Sequence, residues 1–383
     1  MPPSEKIKVG VLGATGTVGQ RFIQLLSTHP YFVLHSLGAS ARSAGQTYSS
    51  VTRWKLSSPM PEIVRDMMVH ECRPDVGGFD ECGVVFSGLD HDVAGEIEES
   101  FRSSEIPIFS NAKNHRRDPL VPLIVPLVNS SHLSIIPQQQ SLLGLKKGFI
   151  LCNANCSTTG VVVPLAALEK SFGPLKTVMI TTLQAISGAG YPGVSSMDIM
   201  DNVVPFIGGE EEKIEWETLK ILGGIKQVEH QNQNQNQNLK NGKNETKLEF
   251  DYHQENKLKI SAQCNRVPVL DGHLSCVSVE FSQNVKPTLK EIENAFKNYT
   301  SEAQELNVPS SPKRSIILHE NQDRPQPRLD RDLENGACVS VGRIRECGVL
   351  DFKFICLVDN VRLGAATSSV MNAEIAVEKG YVR

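Results

Sequence analysis

The chain has 383 residues, a length that predicts two domains, and its formal net charge is −4 at pH 7. Hydrophobic residues make up 40% and charged residues 21%, the balance of an ordinary soluble globular protein. No apolar run approaches the roughly 20 residues that cross a bilayer, and there is no basic stripe or RNA-binding motif. Membrane and nucleic-acid partners are therefore not expected, and an N-terminus without a signal peptide predicts a cytoplasmic location.

The N-terminal part alternates short apolar strands with helical segments. Strands are predicted at residues 8–13, 32–37, 83–87, 106–110 and 148–152, and helices at residues 20–27, 93–102 and 158–171. Such alternation predicts an α/β fold with a doubly wound parallel sheet.

Beyond about residue 175 the predicted strands are longer and richer in β-branched residues; they cover residues 177–184, 257–264, 274–282 and 350–357. They predict a second domain with a mainly antiparallel sheet. Residues 364–379 predict an amphipathic helix that returns to pack on the first domain. The predicted division is a dinucleotide-binding domain at residues 1–155, completed by residues 361–383, and a second domain at residues 156–360.

A polar segment at about residues 226–256 interrupts the second domain. Within it, residues 231–238 alternate strictly between Gln and Asn. The segment carries too few apolar side chains to bury a core, so a disordered surface insertion is predicted.

The turn after the first strand reads GATGTVG at residues 13–19. Its glycines let the backbone approach a pyrophosphate, and the helix that follows offers free N–H groups and the positive end of its dipole. The spacing alone is a weak signal, because any tight strand-to-helix turn can show it. The flanking strand and helix favour dinucleotide binding.

The end of the second strand bears on the choice of dinucleotide. Proteins that bind NAD usually carry an acid there for the ribose 2′-hydroxyl. Residues 38–45 read GASARSAG, with Arg42 and two serines in place of an acid. A solvated polar loop would also look like this, but the pattern favours NADP.

Cys156 lies between a predicted strand and a predicted helix, in the run NANCSTTG. A helix N-terminus lowers the pKa of a thiol, and Ser157 and Thr158 are suitable helix caps. Pro164 predicts a kink or a restart in the helix. A buried structural cysteine is the alternative, although the small polar neighbours favour a nucleophile. The other cysteines are predicted to be free thiols, and no metal site is predicted.

A cysteine thiolate beside a nicotinamide predicts one chemistry. The thiolate adds to an aldehyde, hydride leaves the adduct, and a thioester remains. This chemistry needs a base, for which His273, beside a turn made by Asp271 and Gly272, is the best-placed candidate. A lone histidine is more often structural, so this pattern by itself decides little.

Seven motifs in order resemble those of the aspartate-semialdehyde dehydrogenase family: GATGTVG, SNAKNHR, NANCSTTG, LQAISGAGYPG, IGGEEEK, CNRVPVLDGH and DNVRLGAA. They cover about residues 7 to 380 and are most similar to the branch found in fungi and archaea. The resemblance implies a Rossmann domain plus an α+β catalytic and dimerisation domain, as in glyceraldehyde-3-phosphate dehydrogenase, and a homodimer or homotetramer.

The resemblance also implies roles for the residues in these motifs. Cys156 becomes the nucleophile, His273 the general acid/base, and Gln184 the amide that orients the acyl intermediate. The cofactor residues that it implies are Thr15, Gly16, Thr17, Val18, Ser40, Arg42, Ser43, Ser87, Gly188 and Asn360.

Four charged residues are implied to hold the substrates. Arg266 clamps the α-carboxylate, which suits a guanidinium fork. Glu210 receives the amino group, while Lys213 and Arg116 bind inorganic phosphate. A solvated helix start and a surface loop charge are the structural alternatives for these motifs, and adjacent arginines and glutamates leave both assignments open by one residue.

The implied reaction is the reversible, NADP-dependent reductive dephosphorylation of L-aspartyl 4-phosphate to L-aspartate 4-semialdehyde, which serves lysine, methionine and threonine synthesis. The alternative is N-acetyl-glutamyl-phosphate reductase, whose acylated substrate has no ammonium for Glu210. Glyceraldehyde-3-phosphate dehydrogenase would normally carry an acid after the second strand. A catalytically inactive NADP sensor would not need a thiol, a base and anion clamps together.

Overall fold

The computed structural model describes residues 3, 5–230, 245–253 and 257–382. The predicted Gln/Asn insertion at residues 231–238 lies outside these described residues.

Short apolar strands from the N-terminal part form the first sheet. They are β1 (Ile7–Leu12), β2 (Phe32–Ala39), β3 (Val69–Glu71), β4 (Val84–Ser87), β5 (Ile108–Ser110), β6 (Leu123–Ile124) and β7 (Ile150–Asn153). In the described part of the chain this sheet has seven strands in the order β3-β2-β1-β4-β5-β7-β6, and every neighbouring pair is parallel. The central strands β4, β5 and β7 are wholly buried, as expected of a parallel sheet that is covered on both faces.

The helices of this part are α1 (Thr17–Leu26), α2 (Tyr48–Val51), α3 (Glu62–Arg65), α4 (His91–Ser103) and α5 (Ile136–Leu143). The predicted doubly wound parallel sheet is thus confirmed. Its carboxyl edge is the edge at which such folds bind ligands.

The remaining elements follow in chain order. They are α6 (Cys156–Phe172), β8 (Leu175–Gln184), α7 (Ser196–Ile199), α8 (Glu210–Leu222), β9 (Ile225–His230), β10 (Glu245–Phe250), β11 (Lys259–Arg266), β12 (His273–Phe281), α9 (Leu289–Lys297), α10 (Glu302–Glu305), β13 (Ile316–Leu318), α11 (Pro327–Asp330), β14 (Val339–Glu346), β15 (Phe352–Val358) and α12 (Thr367–Glu378).

Among the described residues a second sheet has six strands in the order β11-β8-β12-β15-β14-β13. Its three central pairings are antiparallel, which confirms the predicted mainly antiparallel sheet. The pairings at both edges, β11 with β8 and β13 with β14, are parallel. Helices α6 and α9 pack against this sheet.

The prediction of a disordered surface insertion at about residues 226–256 is wrong at both ends of that segment. Strands β9 and β10 pair antiparallel there. Phe250 is buried, with Lys220 Nζ 4.2 Å from its ring centroid, and Gln138 hydrogen-bonds both the N–H and the C=O of Leu248. Composition missed these strands because their pairing depends on the main chain and on a few well-placed apolar side chains.

The C-terminal helix α12 packs against α1 and against strands of the first sheet, as predicted. Its expected amphipathic character is wrong, since every residue from Thr367 to Ala376 is buried. Glu374, for example, is fully buried and accepts hydrogen bonds from the N–H and hydroxyl of Ser310. Its polar positions therefore meet buried partners instead of water.

Two glycines shape the turn between β1 and α1. Gly13 has φ +70°, and a Cβ on Gly19 would lie 2.2 Å from the carbonyl oxygen of Gly13. Gly16 is the N-cap of α1 and provides no capping side chain. The first-turn N–H groups of α1 consequently remain available to an external anion.

Across the ranges that the structure describes, no helix has both the length and the apolar composition needed to cross a membrane.

Candidate active site

Three of the predicted site residues lie at one edge of the second sheet. Gln184 ends β8 and is paired with Arg266, which ends the parallel strand β11. His273 begins β12, which runs antiparallel to β8 on its other side. All three are buried. The strand register therefore brings together an amide, a guanidinium and an imidazole from distant parts of the sequence.

The main chain of Ala185 orients two of these side chains. Its carbonyl oxygen accepts a hydrogen bond of 2.7 Å from Arg266 Nη1, and its N–H donates one of 3.0 Å to His273 Nδ1. Because a backbone N–H can only donate, Nδ1 is unprotonated and the neutral ring carries its proton on Nε2. Nε2 is buried without a partner among the described residues.

Gly188 lies directly over the same two side chains. A Cβ at this position would be 2.9 Å from Arg266 Nη1 and 3.0 Å from His273 Nε2. The side chain of Asn360 holds this loop in place. Its Nδ2 donates a hydrogen bond of 2.9 Å to Ser187 Oγ, and its Oδ1 accepts one of 2.8 Å from Gly272 N. Only glycine fits at 188 without displacing a side chain of the site.

Cys156 is the first residue of α6, as predicted. The cap of this helix is Asn155, whose side-chain oxygen accepts from the N–H groups of Ser157 and Thr158. The expectation that Ser157 and Thr158 themselves cap the helix is therefore wrong, because their own N–H groups are the ones that need an acceptor. Pro164 lies inside a helix that runs on without a restart.

Glu210 begins α8 and is only 5% exposed, so the alternative of a solvated helix start is wrong. One carboxylate oxygen accepts from Asn155 Nδ2 at 2.7 Å and from Gln184 Nε2 at 3.3 Å, and the other accepts from Lys213 Nζ at 2.7 Å. Burial raises the pKa of Glu210, but the charge and hydrogen bond of Lys213 outweigh it and hold that pKa below its usual range. Glu210 is a carboxylate.

The neighbouring glutamates have other partners. Glu211 accepts a hydrogen bond from the N–H of Cys264 in β11. Glu212 pairs with the exposed Arg117. Glu210 is thus the residue of this run that faces the site.

Arg116 is buried, in contrast to Arg117, so the alternative of a surface loop charge is wrong for it. It donates from Nη1 to Glu217 at 2.7 Å and from Nη2 to the carbonyl of Asn111 at 2.8 Å. Both terminal nitrogens therefore already have protein partners.

Burial favours the neutral forms of both Cys156 and His273. Burial and, after it, the carboxylate of Glu210 raise the pKa of Cys156 to about 12, although Arg266, Lys213 and Arg116 act in the opposite direction. Burial and then the cation of Arg266 lower the pKa of His273 to about 3. The predicted lowering of the thiol pKa is wrong here, because loss of water and a facing carboxylate outweigh the helix N-terminus.

The predicted cofactor residues lie mainly at the carboxyl edge of the first sheet. Ser40, Arg42 and Ser43 form an exposed turn after β2, closed by a 2.8 Å hydrogen bond from Ser43 N to Ser40 O. Ser87 ends β4 and is buried. Cys156 follows β7 at this same edge, so the nucleotide turn and the thiol share it. Thr15 and Gly16 lie in the turn between β1 and α1, and Thr17 and Val18 are the first two residues of α1.

Sequence reasoning missed three residues that organise this site: Asn155, Glu217 and Lys220. Lys220 is fully buried and donates to the carbonyl oxygens of Arg116, Asp118 and Val121. Asn155 stands directly before the first residue of α6, and an asparagine near a helix start was a detectable cap signal. The two charged residues of α8 gave no such local signal.

Within the described ranges, no group of three or more His, Cys, Asp or Glu side chains is placed to hold a metal ion.

Two family models match the chain. The semialdehyde dehydrogenase NAD binding domain matches residues 8–136, and the semialdehyde dehydrogenase dimerisation domain matches residues 165–242 and 224–363. These matches define the class of protein to which the fold corresponds, the semialdehyde dehydrogenases.

Full-length relatives narrow the class. The chain is 66% identical over 383 residues to the aspartate-semialdehyde dehydrogenase of Cryptococcus neoformans, with 100% of both chains covered. It is 42% identical to that of Archaeoglobus fulgidus, covering 98% of this chain and 100% of the relative. The chain belongs to the aspartate-semialdehyde dehydrogenase family, which confirms the resemblance to its fungal and archaeal branch.

A solved structure agrees with this assignment. The crystal structure of aspartate semialdehyde dehydrogenase with NADP from Candida albicans superposes with a TM-score of 0.87 at 48% identity, covering 99% of this chain and 100% of that one.

The raised pKa of Cys156 predicts the pH dependence of its alkylation. Iodoacetamide reacts with the thiolate, whose fraction rises about tenfold per pH unit below the pKa. In the ligand-free protein, alkylation of Cys156 should therefore keep rising through about pH 10. Mass spectrometry of the peptide that contains Cys156 measures the rate.

Cys347 provides the internal control in the same sample. The N–H groups of Leu350 and Val349 lower the pKa of its thiol, so its alkylation should level off first. A plateau for Cys156 at or below about pH 9 would contradict the electrostatic account of the site.

Proposed function

We propose that this chain catalyses the reversible NADP-dependent reductive dephosphorylation of L-aspartyl 4-phosphate to L-aspartate 4-semialdehyde and phosphate, through a thioester on Cys156. This reaction serves the synthesis of lysine, methionine and threonine. The observation that carries the proposal is the pair of buried opposite charges, Glu210 and Arg266, which both act on the Cys156 thiol. They suit the ammonium and the carboxylate of a free amino acid.

The nucleotide site fits NADP. The uncapped N-terminus of α1 suits a diphosphate, and the turn after β2 exposes Arg42 between two serines, with no carboxylate among residues 38–45. When bound, NADP supplies hydride transfer at its nicotinamide. The diphosphate would be held by Thr15, Gly16, Thr17 and Val18, the 2′-phosphate by Ser40, Arg42 and Ser43, and the remainder by Ser87, Gly188 and Asn360.

His273 is the proposed general acid/base. Its Nε2 is buried without a hydrogen-bond partner among the described residues, so the neutral ring can donate a hydrogen bond to the carbonyl oxygen of the substrate. Its action as a base requires the proton on Nδ1, and the ring must then give up the hydrogen bond from Ala185. The main chain therefore favours the donor role in the resting state.

Gln184 is the proposed orienting amide for the acyl intermediate. Its side-chain N–H groups donate at 3.2 Å to Thr182 Oγ1 and at 3.3 Å to Glu210, both long hydrogen bonds. Such bonds are readily exchanged for one to an acyl oxygen. A neutral amide also does not compete as a charge with the two ionic clamps.

The charged residues of the site are proposed to bind different groups of the substrates. Arg266 holds the α-carboxylate and Glu210 the ammonium. Lys213, whose side chain is 25% exposed, binds phosphate together with the cation of Arg116. Phosphate would attack the thioester carbon and release the Cys156 thiolate.

The proposal extends to the organisation of the protein. Residues 1–155 and 361–383 would form the NADP-binding domain, and residues 156–360 the catalytic and dimerisation domain. The matched dimerisation model supports a homodimer or homotetramer. A cytoplasmic location completes the proposal.

Turnover of two aldehydes tests the function. With NADP and phosphate, L-aspartate 4-semialdehyde should give NADPH at least about tenfold more efficiently than N-acetylglutamate semialdehyde, because only the former offers Glu210 an ammonium. Absorbance of NADPH measures both rates. Cys156→Ala should abolish turnover and Cys347→Ala should not. Faster reaction of the N-acetylated aldehyde would instead favour N-acetyl-glutamyl-phosphate reductase.

Cofactor choice should depend on Arg42. We expect catalytic efficiency with NADP to exceed that with NAD by at least tenfold, or about 1.4 kcal/mol, since Arg42 meets a 2′-phosphate that NAD lacks. Arg42→Ala should narrow the ratio. Arg65→Ala, at an exposed arginine on α3, is the control and should leave it unchanged. Equal use of both cofactors by the unaltered protein would rule out this reading of the turn.

The two anion clamps should give separable defects. Arg266→Leu should cost about 3 kcal/mol in kcat/KM, because a buried carboxylate loses its charged partner. Lys213→Leu should raise the phosphate requirement but keep the initial burst of NADPH. Rapid-mixing measurements of burst size and steady-state rate across phosphate concentrations distinguish them.

Lys290→Leu, on the exposed surface of α9, provides the matched control for the loss of a lysine. If Arg266→Leu changed only the phosphate dependence, the assignment of the two clamps would be reversed.

A further inference from the structure

Glu217 is a fully buried carboxylate in α8 that makes no contact with solvent. One oxygen accepts a 2.7 Å hydrogen bond from Arg116 Nη1, and the other accepts a 2.6 Å hydrogen bond from the backbone N–H of Asn155. A buried charge is tolerated only when it is paired and hydrogen-bonded. Both oxygens of Glu217 are committed, one to the loop after β5 and one to the loop before α6.

Glu217 is one of four charged residues on one face of α8. Glu210, Lys213, Glu217 and Lys220 are three, four and three residues apart, so they share one face of the helix. Glu210 binds the side chain of Asn155 at 2.7 Å, while Glu217 binds its main chain. Lys220 binds the main-chain carbonyl of Arg116 at 2.8 Å. One helix face thus fixes both loops that flank the thiol.

Asn155 is the residue through which this face reaches the nucleophile. It caps α6, and Cys156 follows it directly as the first helical residue. The hydrogen bond from its N–H to Glu217 fixes the peptide that leads into the cap. Arg116 is fixed by the same carboxylate, and its cation acts on the Cys156 thiol.

We propose that Glu217 is a positioning residue for the thioester reaction: it holds the cap of α6, and with it Cys156, while it fixes the cation of Arg116 near the thiol. The inference rests on the function proposed above. Glu217 is fully buried, and among the described residues its carboxylate oxygens hydrogen-bond Arg116 and Asn155, so it acts without touching substrate.

A merely structural role for Glu217 is the competing explanation, and α8 offers a matched comparison. Glu215, on the same helix, also accepts a backbone N–H, that of Ala262 in β11, at 3.0 Å. This bond lies away from Cys156. Glu215→Gln therefore removes the charge from the same kind of contact on the same helix.

The central test is Glu217→Gln. Glutamine keeps the shape of the side chain but offers one oxygen, so either Arg116 or the Asn155 N–H then faces an amide donor. We expect kcat to fall at least about tenfold while KM for L-aspartate 4-semialdehyde stays within about threefold. Alkylation of Cys156 at fixed pH should become faster, because the cation of Arg116 is no longer neutralised. Glu215→Gln should leave all three values unchanged.

Glu217→Asp distinguishes the effect of the side chain's charge from the effect of its length. It keeps the carboxylate, so alkylation should match the unaltered protein, but its shorter side chain cannot hold both loops and kcat should still fall. If Glu217→Gln fails to fold, Glu217→Asp alone tests the proposal. An unchanged kcat of Glu217→Asp then overturns it.

Two further results would overturn it. One is a kcat for Glu217→Gln within about twofold of the unaltered protein. The other is a fall in the kcat and melting temperature of Glu217→Gln without any change in the alkylation of Cys156, which indicates a structural role. Failure of the proposed function is distinguishable, since the unaltered protein would then not oxidise L-aspartate 4-semialdehyde while the alkylation comparison would still stand.

Discussion

The site depends on the complete hydrogen bonding of one asparagine. Asn155 accepts the N–H groups of Ser157 and Thr158 through its side-chain oxygen, and its amide and its N–H donate to Glu210 and Glu217. Its conformation is therefore set from two sides, by the helix that it caps and by the helix α8. Cys156, which follows it directly, inherits this restraint, as do the carboxylate and the cations arranged around it.

Burial defines the electrostatics of this arrangement. In the part of the chain that the structure describes, Arg266, Lys213 and Arg116 face two buried carboxylates. Burial nevertheless favours the neutral forms of the Cys156 thiol and the His273 imidazole, because a site with little water penalises charge on both. Such a site favours anionic substrates, whose charge is met by cations already in place. The ion pairs cost little reorganisation when a substrate enters, since their partners are fixed before binding.

Local patterns in the sequence predicted much of this architecture. The glycine turn, the alternation of strands and helices, and the cysteine at a helix start are short-range signals with a direct physical cause. The contact between Arg116 and Glu217 joins residues 101 positions apart, so no window along the chain reveals it. The polar residues of α12 led to the wrong prediction of an amphipathic helix for a related reason. Their partners lie in other elements, so only the fold shows that these residues are buried.

The main chain of Ala185 has a consequence for how the site can change. Its carbonyl sets the direction of Arg266 and its N–H sets the tautomer of His273, so the orientation of both side chains depends on one residue. Every residue except proline supplies both of these main-chain groups, although Ala185 is fully buried and a larger side chain there would have to displace its neighbours. A ligand that displaced the neighbouring loop from the strand ends would misalign Arg266 and His273 together. An inhibitor bound at this one junction would therefore affect both residues.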